Sequence, residues 1–516
     1  MREKIVRYIK ENIYASVFIG IMAIIYIIMM FFNKPWYDEL YTYYSFISRG
    51  PIYAAIHWPV PNNHVGYSVI SACLNIFHNS YISLRGISCI AAIINLILIY
   101  RIGTYVMKKP YAFLAMGLYA GANIVHMLSV QGRGYTLAIT CYLVAVIAGY
   151  KICIVNYYEK KYYIIFIASL VAGLYILPSS IYWVLPVCVG NGLFLLLKKH
   201  WKMLLNLIAA AIIAALITLF LYSLIWLAIG ANLLCKEAGS AYYGMHQIKV
   251  IVKAPLKSAR TGIEYMLATP YIQSIDKRAA ILGMPAYFEE FFSQCYSYCG
   301  MALCLLMVFL IAFFVYYSIM EIKYRRIGLW VGLFISSGLS VALAMLLIQS
   351  VHPYKRVLSF IMVDMAIGTA YLFYRWIEHS GLTAKTIKKV EYGVIAFIIL
   401  VVAFKMTTYN YRRPLADREN NIEEILKKIN VTEIDSIYYT DDYQKYVLKF
   451  YHNIEPVEAP IEEANYVIIC SEIFESNYQE NVWPVLMPND QPFIKYVEDN
   501  FEEMEATEHY VAYCRK

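Results

Sequence analysis

The chain has 516 residues, of which 60% are hydrophobic and only 16% charged, more apolar surface than one soluble core can bury. The formal charge of +8 conceals an asymmetry: the acidic excess lies after about residue 415 and the preceding part is basic, so net charge carries no argument for a nucleic-acid partner. Most of the eleven cysteines, Cys73, Cys89, Cys141 and Cys304 among them, fall inside apolar stretches without metal-ligand spacing and read as small buried hydrophobes.

Apolar stretches of about 20 residues, the length of a membrane span, begin at Ile13–Phe32, which Asn33-Lys34-Pro35 follows instead of a small-residue cleavage site, so it is expected to remain as a span. In chain order the expected spans are 13–32, 82–107, 111–128, 134–150, 162–178, 181–197, 203–230, 298–317, 328–349, 356–375 and 391–408, eleven in all. Lys/Arg-rich short loops stay cytoplasmic. Arg2, Lys4, Arg7 and Lys10, then Lys108-Lys109, Lys160-Lys161, Lys198-Lys199, Arg325-Arg326 and Lys388-Lys389, all fall on one side of this scheme. The N-terminus is therefore expected inside, and loops 33–81 and 231–297, the turns at 129–133 and 350–355 and the tail outside. The fold class expected is an α-helical polytopic membrane protein, with residues 1–410 as the membrane domain and 411–516 as a small extracytoplasmic α/β domain. Within the tail the pattern predicts helices at 419–429 and 442–452 and strands at 435–440, 465–470 and 509–514. Cys470 and Cys514, in two of those strands, raise the question of a disulfide.

Leaving the first span, Trp36-Tyr37-Asp38-Glu39-Leu40-Tyr41 sets two carboxylates in an aromatic belt. A carboxylate held at the lipid boundary loses hydration and becomes a better proton acceptor; the plain alternative is a pair of acids marking a helix end. Adjacent residues point in different directions, so one acid would act as base and the other orient a neighbour or a cation. Next come Asn62-Asn63-His64 before an amphipathic stretch, Val69 to Phe77, too short to span. The three side chains could bind a sugar-like ligand, although a lone interfacial histidine is more often structural. Arg85 near the start of span two is expected to snorkel. The turn Ser129-Val130-Gln131-Gly132-Arg133-Gly134-Tyr135 offers a guanidinium between two glycines, either a fork for a phosphate oxyanion whose flanking glycines would let a ligand approach or an arginine snorkelling to lipid headgroups. Lys249, Lys253, Lys257 and Arg260 recur at helical spacing in the long loop, and Lys355-Arg356 repeat the cationic theme before span ten. Asp364, deeper in that span, is expected either to function or to bond a neighbouring helix.

In this order the elements resemble the multi-span C-type (GT-C) glycosyltransferases that use polyprenyl-phosphate sugars, the group containing protein O-mannosyltransferases and lipid A aminoarabinose transferases. The resemblance covers most of residues 30–375: Asp38-Glu39, Asn62-Asn63-His64, Arg85-Gly86, Arg133-Gly134-Tyr135 and Pro353-Tyr354-Lys355-Arg356. It implies that Asp38 is the base for an acceptor hydroxyl and Glu39 a supporting group, the two also being candidates to hold a divalent metal ion. Arg133, Lys355 and Arg356 would bind the donor phosphate, and Asn62, Asn63, His64 and Tyr135 the acceptor or sugar. The implied partners are a polyprenyl-phosphate-linked sugar, the lipid bilayer and a glycan, lipid or protein acceptor, with inversion at the anomeric carbon. Two rival readings are a transporter or flippase of a lipid-linked sugar, which calls for charge along a path through the bundle, and a non-catalytic scaffold, which gives Asp38 and Arg133 no joint task.

Overall fold

A computed structural model describes residues 11–57, 63–155, 159–268, 274–324, 326–408, 424–429, 436–439, 442–452, 457–458, 460–470, 491–507 and 510–516. The chain divides into two compact units, residues 1–31 with 50–409 and residues 32–49 with 410–516. The stretch that carries Asp38 and Glu39 thus groups with the tail, a division that hydropathy does not reveal.

The first unit is helical. Among the described residues seven helices are long and apolar enough to cross a bilayer: Ile13–Phe32, Ser80–Val106, Tyr135–Val155, Pro178–Leu197, Trp201–Lys236, Gly300–Glu321 and Arg326–Gln349. Lys109–Ala120 and Asn123–Ser129, bent by 73° at a short break, add an eighth when counted together. The other three expected spans are helices Lys160–Ile176, Ile361–His379 and Ala384–Thr408. The first is only 17 residues long, and the second carries Asp364, Arg375 and Glu378. Outward-facing Leu, Ile and Phe on Trp201–Lys236 and Gly300–Glu321 remain exposed within the protein, as on Leu205, Leu216, Phe220, Leu305 and Phe309, which is the surface lipid covers.

The long loop is helical as well. Its basic residues lie on two helices, Gln247–Lys253 and Pro255–Ala268, with the break at Ala254 before Pro255. Pro255–Ala268 packs against Trp201–Lys236 backbone to backbone: a Cβ at Gly230 would stand 1.7 Å from the Ser258 carbonyl oxygen, and one at Gly262 2.1 Å from that of Trp226. Only glycine permits that approach.

The second unit is a five-stranded mixed sheet in the order β2-β1-β3-β5-β4, where β1 is Ser436–Tyr439, β2 Val457–Glu458, β3 Tyr466–Cys470, β4 Phe501–Ala506 and β5 Tyr510–Arg515. β1 is parallel to both β2 and β3, and β5 is antiparallel to β3 and β4. Val467, Ile468 and Ile469 are all fully buried, as a central strand covered on both faces requires. Edge strand β4 turns Glu502 and Glu503 to solvent, a charge pattern that discourages edge-to-edge pairing. β2, β4 and helix Gln491–Asn500 are additions to the expected pattern. The disulfide question is answered by register: Cys514 lies opposite Tyr466 and Cys470 opposite Tyr510, and Cys514 is a free thiol.

Candidate functional site

In the first unit the turn at 129–133 joins helix Asn123–Ser129 to helix Tyr135–Tyr150, and a buried network holds it. The Ser88 hydroxyl donates to the Gln131 carbonyl (2.6 Å), and the Arg133 backbone N–H donates to the same oxygen (2.7 Å). Ser88 Oγ lies 3.0 Å from the Tyr67 hydroxyl, which in turn donates to the Leu84 carbonyl at 2.5 Å. The glycines flanking Arg133 serve packing, contrary to the expectation that they admit a ligand. A Cβ at Gly132 would meet Leu84 Cδ1 at 2.4 Å, and one at Gly134 would meet Ile176 Cγ2 at 2.8 Å and His64 Nδ1 at 3.3 Å.

His64 closes onto that turn. The Gly134 N–H donates to its Nδ1 (2.9 Å), Arg133 Nη2 lies 3.1 Å from its Nε2, and its ring meets Tyr135 edge-on at 5.0 Å. Burial pushes the His64 imidazole well below its usual range, and the charges of Arg133 and Arg356 push it the same way. A neutral imidazole accepts on one nitrogen only. Nδ1 accepts from the Gly134 N–H or Nε2 accepts from Arg133, not both at once, and the neutral ring does not cancel the charge on Arg133. Arg356 reaches the same place from 221 residues away, its Nε–H donating to the Tyr135 hydroxyl at 2.9 Å. It sits in the 3-10 turn Lys355–Leu358. The preceding turn is anchored by His352, which stacks on Tyr287 and lies 3.0 Å from the Ala280 carbonyl, and by the Tyr287 hydroxyl donating to the Pro353 carbonyl. His64, Arg133, Tyr135 and Arg356 therefore converge, the first and second being 6% and 2% exposed.

Other expected site residues are placed differently. Lys355 forms an ion pair with Glu290. The buried Asn63 carboxamide is engaged within the protein: its Nδ2 donates to the Ala54 and His57 carbonyls, both at 2.9 Å, and its Oδ1 accepts from Ser68 at 2.8 Å. That bonding fixes the loop into helix Val65–Ala72 and leaves little of the side chain for a sugar. Asn62 lies outside the described residues. Arg85 does not snorkel; it is buried and donates to the Met30 carbonyl (3.1 Å), tying two spans together. Asp364 is buried and accepts from the Tyr142 hydroxyl, the bond to a neighbouring helix that was one of its two expected roles.

Sequence reasoning passed over Gln131. It is 2% exposed, and neither Nε2 nor Oε1 has a hydrogen-bond partner among the described residues. A buried carboxamide in that condition is destabilising by about 1–3 kcal/mol per group, so it is suited to receive a polar ligand. The available signal was a neutral amide two residues before an arginine in an apolar stretch.

In the second unit, Asp38 and Glu39 open helix Tyr37–Ser45. Glu39 is buried, and its Oε2 accepts from the Trp36 backbone N–H at 3.0 Å, a capping bond. Asp38 is half-buried, and its carbonyl accepts from Thr42. The helix is seated by Leu40, fully buried in the core of the sheet, and by Tyr44 stacked on Tyr446 at 5.1 Å. Glu39 is committed to the cap, and among the described residues no group of three or more His, Cys, Asp or Glu side chains is placed to hold a metal.

The model of the dolichyl-phosphate-mannose-protein mannosyltransferase family matches residues 64–226, the stretch that begins at His64 and contains Gln131, Arg133 and Tyr135. No curated protein matches the sequence significantly. Among solved structures, the crystal structure of ArnT from Cupriavidus metallidurans bound to undecaprenyl phosphate is similar at a TM-score of 0.54, with 10% identity over 96% of this chain and 97% of that one. Its apo state aligns at a TM-score of 0.53, with 9% identity over 98% of each chain. At this identity the likeness is one of fold, and it extends over both units. The family match over residues 64–226 and a fold shared from end to end make this chain similar to the polytopic C-type glycosyltransferases, the group that includes enzymes solved with a polyprenyl phosphate.

Proposed function

We propose that this protein is a glycosyltransferase that moves a single sugar from a polyprenyl-phosphate donor to a hydroxyl of a glycan, lipid or protein acceptor at the outer face of the membrane, inverting the anomeric carbon. The observation that carries the reading is the convergence of half-buried Arg356 on buried Arg133, Tyr135 and His64, the last three within the family-matched stretch. Two guanidiniums beside a neutral imidazole suit a leaving phosphate: each presents a planar fork, and low local dielectric strengthens both. Lys355, paired with Glu290, supports the same turn. That ArnT was solved with undecaprenyl phosphate agrees with such a donor.

The chemistry is one displacement. Asp38 removes the acceptor proton as that oxygen attacks the anomeric carbon, the bond from that carbon to the phosphate oxygen breaks, and polyprenyl phosphate departs with the electron pair. Glu39 acts through the backbone, holding the start of the helix that carries Asp38. Gln131 hydrogen-bonds the donor, its amide matching a sugar hydroxyl or a phosphate oxygen. The distribution of Lys and Arg between short loops supports a cytoplasmic N-terminus and an extracytoplasmic tail.

The test is donor consumption by purified protein against a panel of polyprenyl-phosphate sugars with candidate acceptors, comparing wild type with Asp38→Asn. Loss of a general base lowers turnover by about 10²–10⁴-fold. A wild type that consumes no donor, or an Asp38→Asn protein as fast as wild type, rules the reading out. Product of retained configuration removes the single-displacement step.

A further inference from the structure

At the end of the helical unit opposite the Arg133 turn lies a cavity of about 320 Å³ that the proposed reaction does not use. The bent pair Lys109–Ala120 and Asn123–Ser129 fixes that placement: Lys109, its first residue, lines the cavity, and the Arg133 turn follows its last. The walls come from the start of the first span, from Lys109–Ala120, from Ala384–Thr408 and from Tyr100 of Ser80–Val106.

Packing sets these walls. The Phe18 ring meets Phe113 edge-on at 5.5 Å, and Ile398 is buried against Gly117, where a Cβ would stand 2.5 Å from it. Ile13, Phe113 and Ile395 give the cavity an apolar side. On the same helices Val17, Ile21, Phe397 and Leu400 stay exposed within the protein, as lipid-covered side chains do. A ligand here has hydrocarbon within reach.

The polar side carries both signs. Lys109 Nζ donates to the Glu11 carbonyl at 2.8 Å, which uses one of the three donors of an ammonium and holds its charge at the cavity. Lys388 and Glu391 line the cavity three positions apart on Ala384–Thr408, a spacing at which opposite charges commonly pair. Among the described residues, neither forms an ion pair or a side-chain hydrogen bond. With Glu11 the lining holds two lysines and two glutamates, so it is neutral as a whole and suits a ligand that itself carries both signs. A bare anion or cation would meet as much repulsion as attraction. The volume lies in the range of small-molecule sites, and a phospholipid headgroup that joins a phosphate to an ammonium has the required charges. Lysines are point-charge donors to phosphate oxygens. A carboxylate only accepts, so Glu391 needs an N–H, which a primary ammonium offers and a quaternary one lacks.

We propose that this cavity is a site for a phospholipid with a primary-ammonium headgroup, phosphatidylethanolamine, with Lys109 and Lys388 on the phosphate and Glu391 on the ammonium. The acyl chains then lie along the exposed apolar side chains of the two flanking helices. The inference does not depend on the proposed sugar transfer, since none of these residues takes part there.

The experiment uses the full chain, purified in detergent and washed free of lipid. It is titrated separately with phosphatidylethanolamine, phosphatidylcholine and phosphatidylglycerol and read by native mass spectrometry. The result expected is retention of a single phosphatidylethanolamine, with each of the other lipids bound about 10-fold more weakly, the loss that goes with one charged hydrogen bond. Glu391→Gln should bring phosphatidylethanolamine down to the level of phosphatidylglycerol, and Lys388→Ala should weaken all three. Unfolding temperatures equal to wild type establish that the variants are folded, and the comparison of lipids on wild type stands without them. Equal retention of the three lipids by wild type overturns the proposal, as does undiminished phosphatidylethanolamine binding by folded Glu391→Gln.

Discussion

In the membrane unit, Arg133 and Arg356 sit in a linked set of hydrogen bonds and ring contacts: Ser88 and the Arg133 N–H on the Gln131 carbonyl, the Gly134 N–H on His64, the His64 ring edge-on to Tyr135, and Arg356 on the Tyr135 hydroxyl. In the second unit, Asp38 rides on a nine-residue helix seated by ring contacts and one buried leucine, with Glu39 fastening its first turn. Polar bonds fix direction, and a guanidinium needs direction to meet an oxyanion. Apolar and aromatic packing fixes position with less angular control, which suits a carboxylate that takes a proton. The two units thus present opposite charges by different physical means, and substitutions separate the two means.

The largest effect is expected where direction matters most. Arg133→Ala should lower donor turnover by about 10²–10³-fold, the size of effect seen when one prearranged electrostatic contact to developing charge is lost; Arg133→Lys should recover only part of it. Single-turnover kinetics with purified protein measure this, and an alanine variant at wild-type rate would show that the network serves structure alone. Next, Tyr446→Ala removes the ring on which Tyr37, Tyr41 and Tyr44 pack, and about 3 kcal/mol of stability in the second unit should go with it. Limited proteolysis should then cut residues 32–49 and the tail while the helical unit stays protected. Cleavage unchanged from wild type would mean that ring packing is not what seats the acidic helix.

A smaller cost, about 1–3 kcal/mol, is expected for Gly132→Ala, whose new methyl must displace Leu84. Thermal unfolding in detergent checks it, and an unchanged midpoint would show that the turn can shift without loss. The smallest effect concerns pH. With its pKa held below the unfolded value of about 6.5, His64 stays neutral in the folded protein while the unfolded chain takes up a proton. Its contribution is fully present above that value and is lost as pH falls below it, by at most about 1.4 kcal/mol per pH unit. His64→Gln should flatten the acid limb of the unfolding midpoint between pH 6.5 and 5; an equally steep limb would assign the acid sensitivity elsewhere.

Much of this architecture was legible beforehand, because a span is a local property. About 20 consecutive apolar residues declare a membrane helix whatever lies around them, and a described helix stands at each of the eleven expected spans. The strands of the tail announced themselves by short β-branched and aromatic runs, as at Val467, Ile468 and Ile469, although β2, with two residues, and the glutamate-rich β4 carried no such signal. Among the site candidates, Arg133, Tyr135, Arg356 and His64 were all marked by residue type and motif order. Gln131 was not, because an amide takes its meaning from whether its partners are satisfied, and that is known only once the neighbours are in place.

By itself, then, the sequence determined the membrane class, the helical spans and which side chains carry the chemistry-bearing charge, since each depends on residue type and near-neighbour spacing. Tertiary structure alone decided that residues 32–49 fold with the tail, that the glycines beside Arg133 are filled by Leu84, Ile176 and His64, that Arg85 is a buried tie to Met30, and that Arg356 meets Tyr135. Each of those outcomes joins residues that lie tens to hundreds of positions apart. Such contacts are selected by how whole helices and sheets pack, a choice that no local pattern in the chain encodes.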